Sequence, residues 1–177
     1  MKIFLTGATG YLGAVVAEKL KRRGYKVAGL ARNAESAEVL ADKGIDAVIG
    51  DLSDFEVLRQ ASKSADAVIH TAFSHNFDDY EDAAKLDREV VRTFGEALAG
   101  TDKPLIITST SAFLLDTRTL EADEDFPFDQ DSNRLTRGET ERDIEQLSSK
   151  GIRAIALRMP LFIYGKSGSS FVPLMIR

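Results

Sequence analysis

A glycine-rich loop near the start of the chain limits its fold more than any other feature. Over Thr6–Gly13 the sequence reads TGATGYLG, with three glycines at a spacing of three and three. The loop follows an apolar run typical of a strand and opens a segment of helical period. Glycines at these points allow a tight turn, the close approach of a pyrophosphate to the backbone, and close packing of the helix on the strand.

The free amides at the start of that helix would face the phosphates of a bound dinucleotide. A turn that needs glycine for backbone reasons alone would explain one glycine, but three in this register favour a dinucleotide site. The residues predicted to form this site are Thr6, Gly7, Thr9, Gly10, Tyr11, Leu12 and Gly13.

Short apolar runs alternate with helical segments along the rest of the chain. The predicted strands are Lys2–Leu5, Lys26–Ala31, Ala47–Ile49, Ala67–Thr71, Leu105–Thr108 and Arg153–Leu157. The predicted helices are Tyr11–Arg23, Ala34–Lys43, Asp54–Ser62, Tyr80–Ala99 and Leu135–Ser149, the last with Gly151 as its stop signal. This alternation is typical of an α/β fold, and six strands are enough for a doubly wound, parallel Rossmann sheet of order 3-2-1-4-5-6.

Length, charge and cysteine content narrow the class of protein. A chain of 177 residues is expected to form one domain with a sizeable core. The formal net charge is −5, and no long basic block offers a footprint for nucleic acid or a membrane. The chain has no cysteine, which excludes disulfides and thiolate metal sites. Since it shows neither a signal-peptide pattern nor an apolar run of about 20 residues, we expect a cytoplasmic protein that binds small molecules or proteins.

The second predicted strand ends beside Arg32, where a site that prefers NAD(H) usually presents an acid to the ribose hydroxyls. A guanidinium at this point suits the 2′-phosphate of NADP(H). A solvated arginine at a strand end is the alternative. We therefore predict that NADP(H) is preferred over NAD(H) and that Arg32 selects it.

A longer polar segment, Asp116–Asn133, lies between the fifth strand and the last helix. It is acidic, and Pro127 is its only proline. Polar loops at the carboxyl edge of an open sheet often cover a ligand crevice. An ordinary solvated connection is the alternative, and the sequence leaves both open.

These features together resemble the short-chain dehydrogenase/reductase superfamily in its extended or atypical branch. The resemblance lies in the glycine loop, Gly50-Asp51-Leu52, Ala67-Val68-Ile69-His70-Thr71-Ala72, and Arg158-Met159-Pro160 with Tyr164-Gly165. More narrowly, residues 70–77, 95–98 and 103–106 are similar to atypical proteins of the NAD-dependent epimerase/dehydratase type. The resemblance implies an NAD(P)-binding Rossmann fold, but it names no substrate.

The resemblance also implies further contacts with the cofactor. Asp51 would face the adenine, the fourth strand would back the cofactor, and the segment at Pro160 would lie near the nicotinamide. The cofactor-binding positions implied in this way are Asp51, Leu52, Thr71, Ala72, Phe73, Thr108 and Pro160.

The chain departs from the superfamily where proton transfer would occur. Alignment of the last helix with the superfamily's Tyr-x-x-x-Lys motif puts Asn133 at the tyrosine position and Arg137 at the lysine position. The superfamily's hydroxyl residue falls at Thr110, and Asp87 replaces the usual helix asparagine. An asparagine amide can hydrogen-bond a carbonyl but cannot act as a general acid. The predicted catalytic residues are therefore Thr110, Asn133, Arg137 and a substitute acid.

His75 is the leading candidate for that acid, because it follows the fourth strand at the ligand-binding edge and an imidazole titrates near neutral pH. A partly exposed loop histidine is the alternative, and His70, within the strand, is expected to be a packed residue. A metal site could be imagined among His70, His75, Asp78, Asp79 and Asp82. We predict none, because no helical spacing pairs the two histidines, and Asp78 and Asp79 are better explained as acids at a helix start.

Two classes of function follow. One is an NADP(H)-dependent oxidoreductase acting on a small carbonyl or hydroxyl substrate, with Thr110 and Asn133 polarising the oxygen. The other is a non-catalytic dinucleotide-binding module that senses redox state through a protein partner. We favour the enzyme, because the polar segment and His75 leave room for chemistry.

The superfamily's extended members continue into a small carboxyl-terminal substrate domain. We therefore expect residues 1–165 to form the dinucleotide-binding domain. Residues 166–177 would begin a substrate-binding region whose remainder is missing from this sequence. The partners that we expect are the dinucleotide and a small-molecule substrate, and a homodimer is left open.

Overall fold

The computed structural model describes residues 1–73, 80–116, 121–127, 135–160 and 162–165, with the backbone alone at Phe113 and at residues 135–137. Its strands are β1 (Lys2–Thr6), β2 (Lys26–Ala31), β3 (Asp46–Ile49), β4 (Ala67–His70), β5 (Leu105–Thr110) and β6 (Ala154–Met159). All pair in parallel in one sheet of order β3-β2-β1-β4-β5-β6. The predicted doubly wound sheet and its strand order are confirmed.

Helices connect these strands. They are α1 (Tyr11–Arg22), α2 (Ala34–Asp42), α3 (Phe55–Ser64), α4 (Tyr80–Leu98) and α5 (Leu135–Ser149), and a short 3-10 turn, Ser111–Phe113, follows β5. Every predicted element is present, with its ends within two residues of the prediction. Among the described residues, no helix is both long enough and apolar enough to cross a membrane.

The apolar side chains of the strands alternate between the two faces of the sheet, as the period of two requires. Phe4 is buried on the face that α3, α4 and α5 cover, and Leu5 on the face that α1 and α2 cover. The larger cluster includes Leu58, Val68, Val90, Phe94, Leu105 and Ile144, and the smaller one Ala17, Val27, Ala31, Leu40 and Ile45. Both faces of the central strands are therefore occupied, which leaves the strand ends as the accessible part of the sheet.

Helices α4 and α5 pack closely and fix the far side of the sheet. A Cβ at Gly95 would lie 2.5 Å from Cδ2 of Leu147, so a larger residue there would require the Leu147 side chain to move. Arg88 donates from Nε to Oδ2 of Asp143 at 2.9 Å and also pairs with Glu139. The hydrogen bond to Asp143 raises the pKa of Arg88 above its ordinary value, although burial opposes the shift. The guanidinium therefore stays charged between the two helices.

Candidate functional site

The carboxyl ends of the strands meet at one edge, because all six strands are parallel. Taken across the sheet, the residues at these ends are Asp51 after β3, Arg32 after β2, Gly7 after β1, Thr71 after β4, Thr110 in β5 and Pro160 after β6. From β1 the chain continues to β2 on one side of the sheet, whereas from β4 it continues to β5 on the other side. The direction in which strands are added therefore reverses between β1 and β4. Ligands of open α/β sheets bind in the crevice at such a switch point.

The glycine loop lies at this switch point. Gly7 has a φ of 73°, a left-handed conformation that favours glycine. Its carbonyl accepts a hydrogen bond from the amide of Gly10 at 2.9 Å, which closes the turn, and the carbonyl of Gly10 accepts from Ala14 at 2.9 Å as α1 begins. The first amides of α1 thus have no intrahelical partner. No acidic residue stands in this first turn, so no carboxylate of α1 competes with an anion for them.

The structure refines the role predicted for Gly13. A Cβ at Gly13 would overlap the carbonyl of Gly7 and lie 2.8 Å from Oγ1 of Thr71. The close approach is therefore between α1 and the loop itself, in addition to the end of β4. Among the described residues, a Cβ at Gly10 would have only the carbonyl oxygen of Gly7 within 4 Å, at 3.2 Å.

Thr6 and Thr71 support the loop from beneath. Thr6 is fully buried, and its hydroxyl lies 2.6 Å from Nδ1 of His70. Thr71 donates from Oγ1 to the carbonyl of Thr6 at 2.8 Å. The predicted contacts of Thr6 and Thr71 with the cofactor stay predictions, and in the structure these hydrogen bonds hold the two side chains at the loop.

The adenosine end of the crevice is formed by the ends of β2 and β3. The amide of Gly50 donates to the carbonyl of Ala31 at 3.0 Å and draws the two strand ends together. Arg32 is exposed there, and within the described residues it forms no salt bridge. Asn33 follows it and caps α2, accepting at Oδ1 from the amide of Ser36 at 2.8 Å.

Asp51 and Leu52 stand beside Arg32 at the same edge. Asp51 is exposed, and its Oδ1 accepts from the amide of Ser53 at 3.1 Å, which fixes the turn after β3. Leu52 is half-buried against the larger core cluster. The carboxylate of Asp51 therefore lies on the surface of the crevice, while Leu52 anchors the turn to the core.

The opposite end of the crevice is formed by β5 and β6. Thr110 is half-buried, and its Oγ1 accepts from the amide of Ala112 at 3.2 Å. Thr110 is in register with Met159, which places Pro160 beside it at the edge. The Oγ1 of Thr108 donates to the carbonyl of His70, the last residue of β4, at 3.3 Å, and its predicted contact with the cofactor stays a prediction.

Two aromatic contacts border the crevice. Phe73 follows β4, and its ring lies 5.7 Å from that of Tyr80 at the start of α4. A Cβ at Gly165 would lie 2.7 Å from the hydroxyl of Tyr11, so the segment after β6 reaches the first residue of α1. The glycine loop and the end of β6 thus approach each other across the crevice.

Several predicted residues lie outside the described part of the chain. They are His75, Asn133 and, of the imagined metal cluster, Asp78 and Asp79. Arg137 lies in the first turn of α5, where the backbone alone is described. The catalytic roles of His75, Asn133 and Arg137 therefore remain predictions. His70 is buried and hydrogen-bonded, in agreement with its predicted packed position.

The polar segment between β5 and α5 is partly described, over residues 121–127. Arg158 donates from a terminal nitrogen to the carbonyls of Asp123 and Glu124, at 3.3 and 2.9 Å. Its Nε donates to Oε1 of Glu141 at 2.6 Å, and the other oxygen of Glu141 accepts from Ser109 at 2.5 Å. Arg158 therefore links Asp123 and Glu124 to β6 and α5.

Sequence reasoning missed a buried hydrogen-bonded chain beneath the crevice. Nε2 of His70 lies 3.1 Å from Oδ1 of Asp87, and Oδ2 of Asp87 accepts from Thr140 at 3.0 Å. The available signal was Asp87 itself, a carboxylate on the apolar face of α4 at the usual position of an asparagine. A buried carboxylate needs partners, but the sequence does not show which side chains would supply them.

Comparison with known proteins supports this picture. The chain matches the model of the NAD(P)H-binding family over residues 7–166. An uncharacterized protein of Schizosaccharomyces pombe is 37% identical over 177 residues, which are 99% of this chain and 59% of that protein. A 4-hydroxy-2-methyl-3-oxo-4-farnesyl-3,4-dihydroquinoline-1-oxide ketoreductase of Stigmatella aurantiaca is 28% identical over 184 residues, which cover 99% of this chain and 54% of that protein. The chain thus spans a little over half the length of these relatives.

Among solved structures, the dTDP-glucose 4,6-dehydratase of Bacillus anthracis in complex with NAD superposes with a TM-score of 0.78 over 99% of this chain and 60% of that chain. The two sequences are 18% identical, so this likeness concerns the fold. It agrees with the Rossmann fold that the sequence predicts. Because the family model covers residues 7–166, which include most of the glycine loop and the carboxyl ends of all six strands, this chain belongs to the NAD(P)H-binding family.

Proposed function

We propose that this chain is the cofactor-binding part of an NADP(H)-dependent oxidoreductase that acts on a small carbonyl or hydroxyl substrate. The observation that carries the proposal is the order of groups along one edge of the sheet. Arg32 stands at one end, the glycine loop in the middle and Thr110 at the other end. This order suits an extended dinucleotide whose pyrophosphate lies on the start of α1.

The preference for NADP(H) rests on charge at the end of β2. Arg32 is exposed and forms no salt bridge with a carboxylate of the described residues. A guanidinium can hold a 2′-phosphate in two parallel, charge-assisted hydrogen bonds. An acid that would bind the free ribose hydroxyls of NAD(H) is absent from Gly29-Leu30-Ala31-Arg32-Asn33.

Replacement of Arg32 by alanine tests this preference. The charge-assisted hydrogen bonds between Arg32 and the 2′-phosphate would contribute about 1.5–3 kcal/mol to the binding free energy. Their loss should weaken NADP(H) binding about ten- to a hundredfold and leave the affinity for NAD(H) nearly unchanged. Arg23→Ala is the matched control, because Arg23 is an exposed arginine at the end of α1, on the opposite edge of the sheet. Calorimetric titration with both cofactors measures the effect. Equal losses for NADP(H) and NAD(H) would show that Arg32 does not read the phosphate.

The proposed reaction is the reduction of a carbonyl or its reversal. A bound nicotinamide would supply or accept the hydride, so the chain must orient the substrate oxygen and exchange a proton with it. The hydroxyl of Thr110 accepts a backbone hydrogen bond, which leaves its own hydrogen to donate to that oxygen. We assign the proton to His75, which follows β4 in the sequence. The name of the ketoreductase relative supports a carbonyl substrate.

Consumption of NADPH with a panel of small aldehydes and ketones tests the reaction. We would measure it for this chain and for a longer protein that carries it, since we propose that substrate-binding residues follow residue 165. Turnover that His75→Gln lowers about 10²- to 10⁴-fold would support the assigned acid. Thr101→Val, which removes a hydroxyl from the opposite edge, should leave the rate unchanged. Tight NADPH binding without turnover of any carbonyl would contradict the enzyme and favour the redox sensor.

A further inference from the structure

Four buried side chains form one hydrogen-bonded line through the protein beneath the glycine loop. Thr6 lies on β1, His70 on β4, Asp87 on α4 and Thr140 on α5. Their exposed fractions are 0%, 2%, 7% and 2%, and the distances between successive partners are 2.6, 3.1 and 3.0 Å. The ring of His70 is also held edge-on by Phe94, with centroids 5.5 Å apart. The line therefore joins the two helices of the far side to the first residue of the glycine loop.

The direction of each hydrogen in this line follows from the chemistry of the groups. The carboxylate of Asp87 can only accept, so Thr140 donates to Oδ2 and Nε2 of His70 must carry a hydrogen that it donates to Oδ1. In the neutral ring, Nδ1 then has no hydrogen and accepts from the hydroxyl of Thr6. The lone pairs of that hydroxyl face the amide of Ala72, 3.5 Å away. Through His70, the carboxylate of Asp87 thus determines the orientation of the hydroxyl of Thr6.

The hydroxyl of Thr6 lies where the end of β4 meets the glycine loop. The carbonyl of Thr6 accepts from both the amide and the hydroxyl of Thr71, at 3.3 and 2.8 Å. That hydroxyl of Thr71 lies 2.8 Å from the position of a Cβ at either Gly7 or Gly13. The hydroxyl of Thr6 itself accepts from the amide of Ala72 at 3.5 Å, and that amide nitrogen lies 2.8 Å from the position of a Cβ at Gly7. A change in the rotamer of Thr6 would therefore remove a hydrogen bond from the segment that contacts the loop.

An asparagine at position 87, the usual residue of the related superfamily, would not fix the tautomer of His70. Its amide could accept from one tautomer of His70 in one orientation and donate to the other tautomer after a flip. The number of hydrogen bonds would be kept, but the tautomer would no longer be fixed. The carboxylate of Asp87 thus fixes a tautomer that an asparagine would leave open.

We propose that Asp87 and His70 are positioning residues for the cofactor loop: the carboxylate fixes His70 in its Nε2–H tautomer, and the ring in turn fixes Thr6 beneath the loop. The proposal rests on the cofactor site proposed above. It assigns a role in cofactor affinity to two buried residues that would not touch the cofactor.

Asp87→Asn is the direct test, because it keeps the shape and removes the charge. We expect it to weaken NADPH binding about three- to tenfold. Asp143→Asn is the matched control: Asp143 is an equally buried carboxylate at the same pair of helices, but it pairs with Arg88 and Arg92 and not with the line. It should change stability and leave NADPH affinity unchanged.

The tautomer of His70 can be measured directly, and a purely structural role of Asp87 would not affect it. The chain has two histidines, so His75→Gln assigns the ring signals of His70 in a ¹⁵N NMR spectrum. We expect a protonated Nε2 and an unprotonated Nδ1 in the native protein, and a mixture of tautomers in Asp87→Asn. Asp87→Glu keeps a carboxylate on a side chain that is one methylene longer. If the charge fixes the tautomer, this variant should show the single tautomer of the native protein.

The outcomes separate this proposal from the proposed function. A native protein with Nδ1 of His70 protonated would overturn the proposal, even if Asp87→Asn failed to fold. Native affinity for NADPH in a folded Asp87→Asn variant would also overturn it and leave the cofactor site standing. If the native protein bound no dinucleotide at all, the cofactor site and the positioning role would fail together.

Discussion

Gly10 and Gly13 stand three residues apart in the same loop, but a side chain would meet different obstacles at each. At Gly13 it would overlap the backbone of Gly7, whereas at Gly10 it would touch one carbonyl oxygen at 3.2 Å and otherwise extend into open space. The backbone of Gly10 has a φ of −77°, which any residue adopts. The described part of the chain therefore leaves room beside Gly10, where we propose that the pyrophosphate lies.

Gly10→Val should therefore remain folded and lose dinucleotide binding, because its methyl groups would occupy the space of the pyrophosphate. Gly13→Val should instead lose stability, since the loop must move to admit the side chain. Thermal unfolding and calorimetric titration distinguish the two. Unchanged affinity for NADPH in a folded Gly10→Val variant would place the ligand elsewhere on the chain.

At the scale of elements, the ends of β5 and β6 show where sequence reasoning reached its limit. The glycine spacing and the alternation of apolar runs predict the order of strands, because they depend on local chemistry. The predicted fifth strand ends at Thr108, but β5 continues through Ser109 to Thr110. Ser109 is buried because Glu141, 32 residues away, accepts its hydrogen bond. Partners this distant in sequence cannot be identified from periodicity.

The same limit applies to the candidate site. The residues at the strand ends could be predicted, since every parallel strand ends at the same edge. The line through Asp87 and Thr140 could not, because it joins residues 53 positions apart on two different helices. The related superfamily usually has asparagine at position 87, so the resemblance did not indicate that His70 would be the partner of Asp87.

The tie between β6, α5 and residues 121–127 gives a prediction for stability. Glu141 is 5% exposed, and Arg158→Met would leave its carboxylate without its cationic partner. Removing one partner of a buried pair typically costs about 3–5 kcal/mol in the free energy of unfolding. Arg92→Met, at a half-exposed arginine of α4, should cost less than about 1 kcal/mol.

Chemical denaturation of both variants measures the difference. The double variant Arg158→Met with Glu141→Gln should recover part of the loss, because it no longer buries an unpaired charge. Equal effects of the variants at Arg158 and Arg92 would show that the pair with Glu141 is no stronger than a surface ion pair.

The first turn of α3 gives a prediction for pH. Hydrogen bonds from Gln60 and then Arg59 lower the pKa of the exposed Glu56 below its ordinary value. A carboxyl whose pKa is lowered by folding contributes stability that is present above its unfolded pKa and lost as the pH falls through its folded pKa. Gln60→Ala should therefore raise the pKa of Glu56 in an NMR titration. A pKa of Glu56 that does not move in this variant would contradict the role of Gln60.

At the scale of the whole molecule, the two edges of the sheet differ in character. The carboxyl edge carries the glycine loop, Arg32 and Thr110, whereas the amino edge carries tight turns with left-handed glycines such as Gly24, Gly44 and Gly151. The turns of the amino edge complete the connections from helix to strand. A ligand that binds as we propose would contact the first edge and leave the second untouched.

Hydrogen exchange with and without saturating NADPH tests this division. Amides of the glycine loop and of Thr71–Phe73 should exchange more slowly in the complex, because the ligand accepts hydrogen bonds from the first group and covers the second. Amides of surface turns typically exchange through local opening. The exchange of the turns at Gly24, Gly44 and Gly151 should therefore be unchanged, even though the bound ligand would stabilise the fold by about 2.7 kcal/mol at a concentration of 100 Kd. Equal protection at the two edges would indicate a general stabilisation without a site at the carboxyl edge. Protection confined to the amino edge would place the ligand at the opposite edge of the sheet.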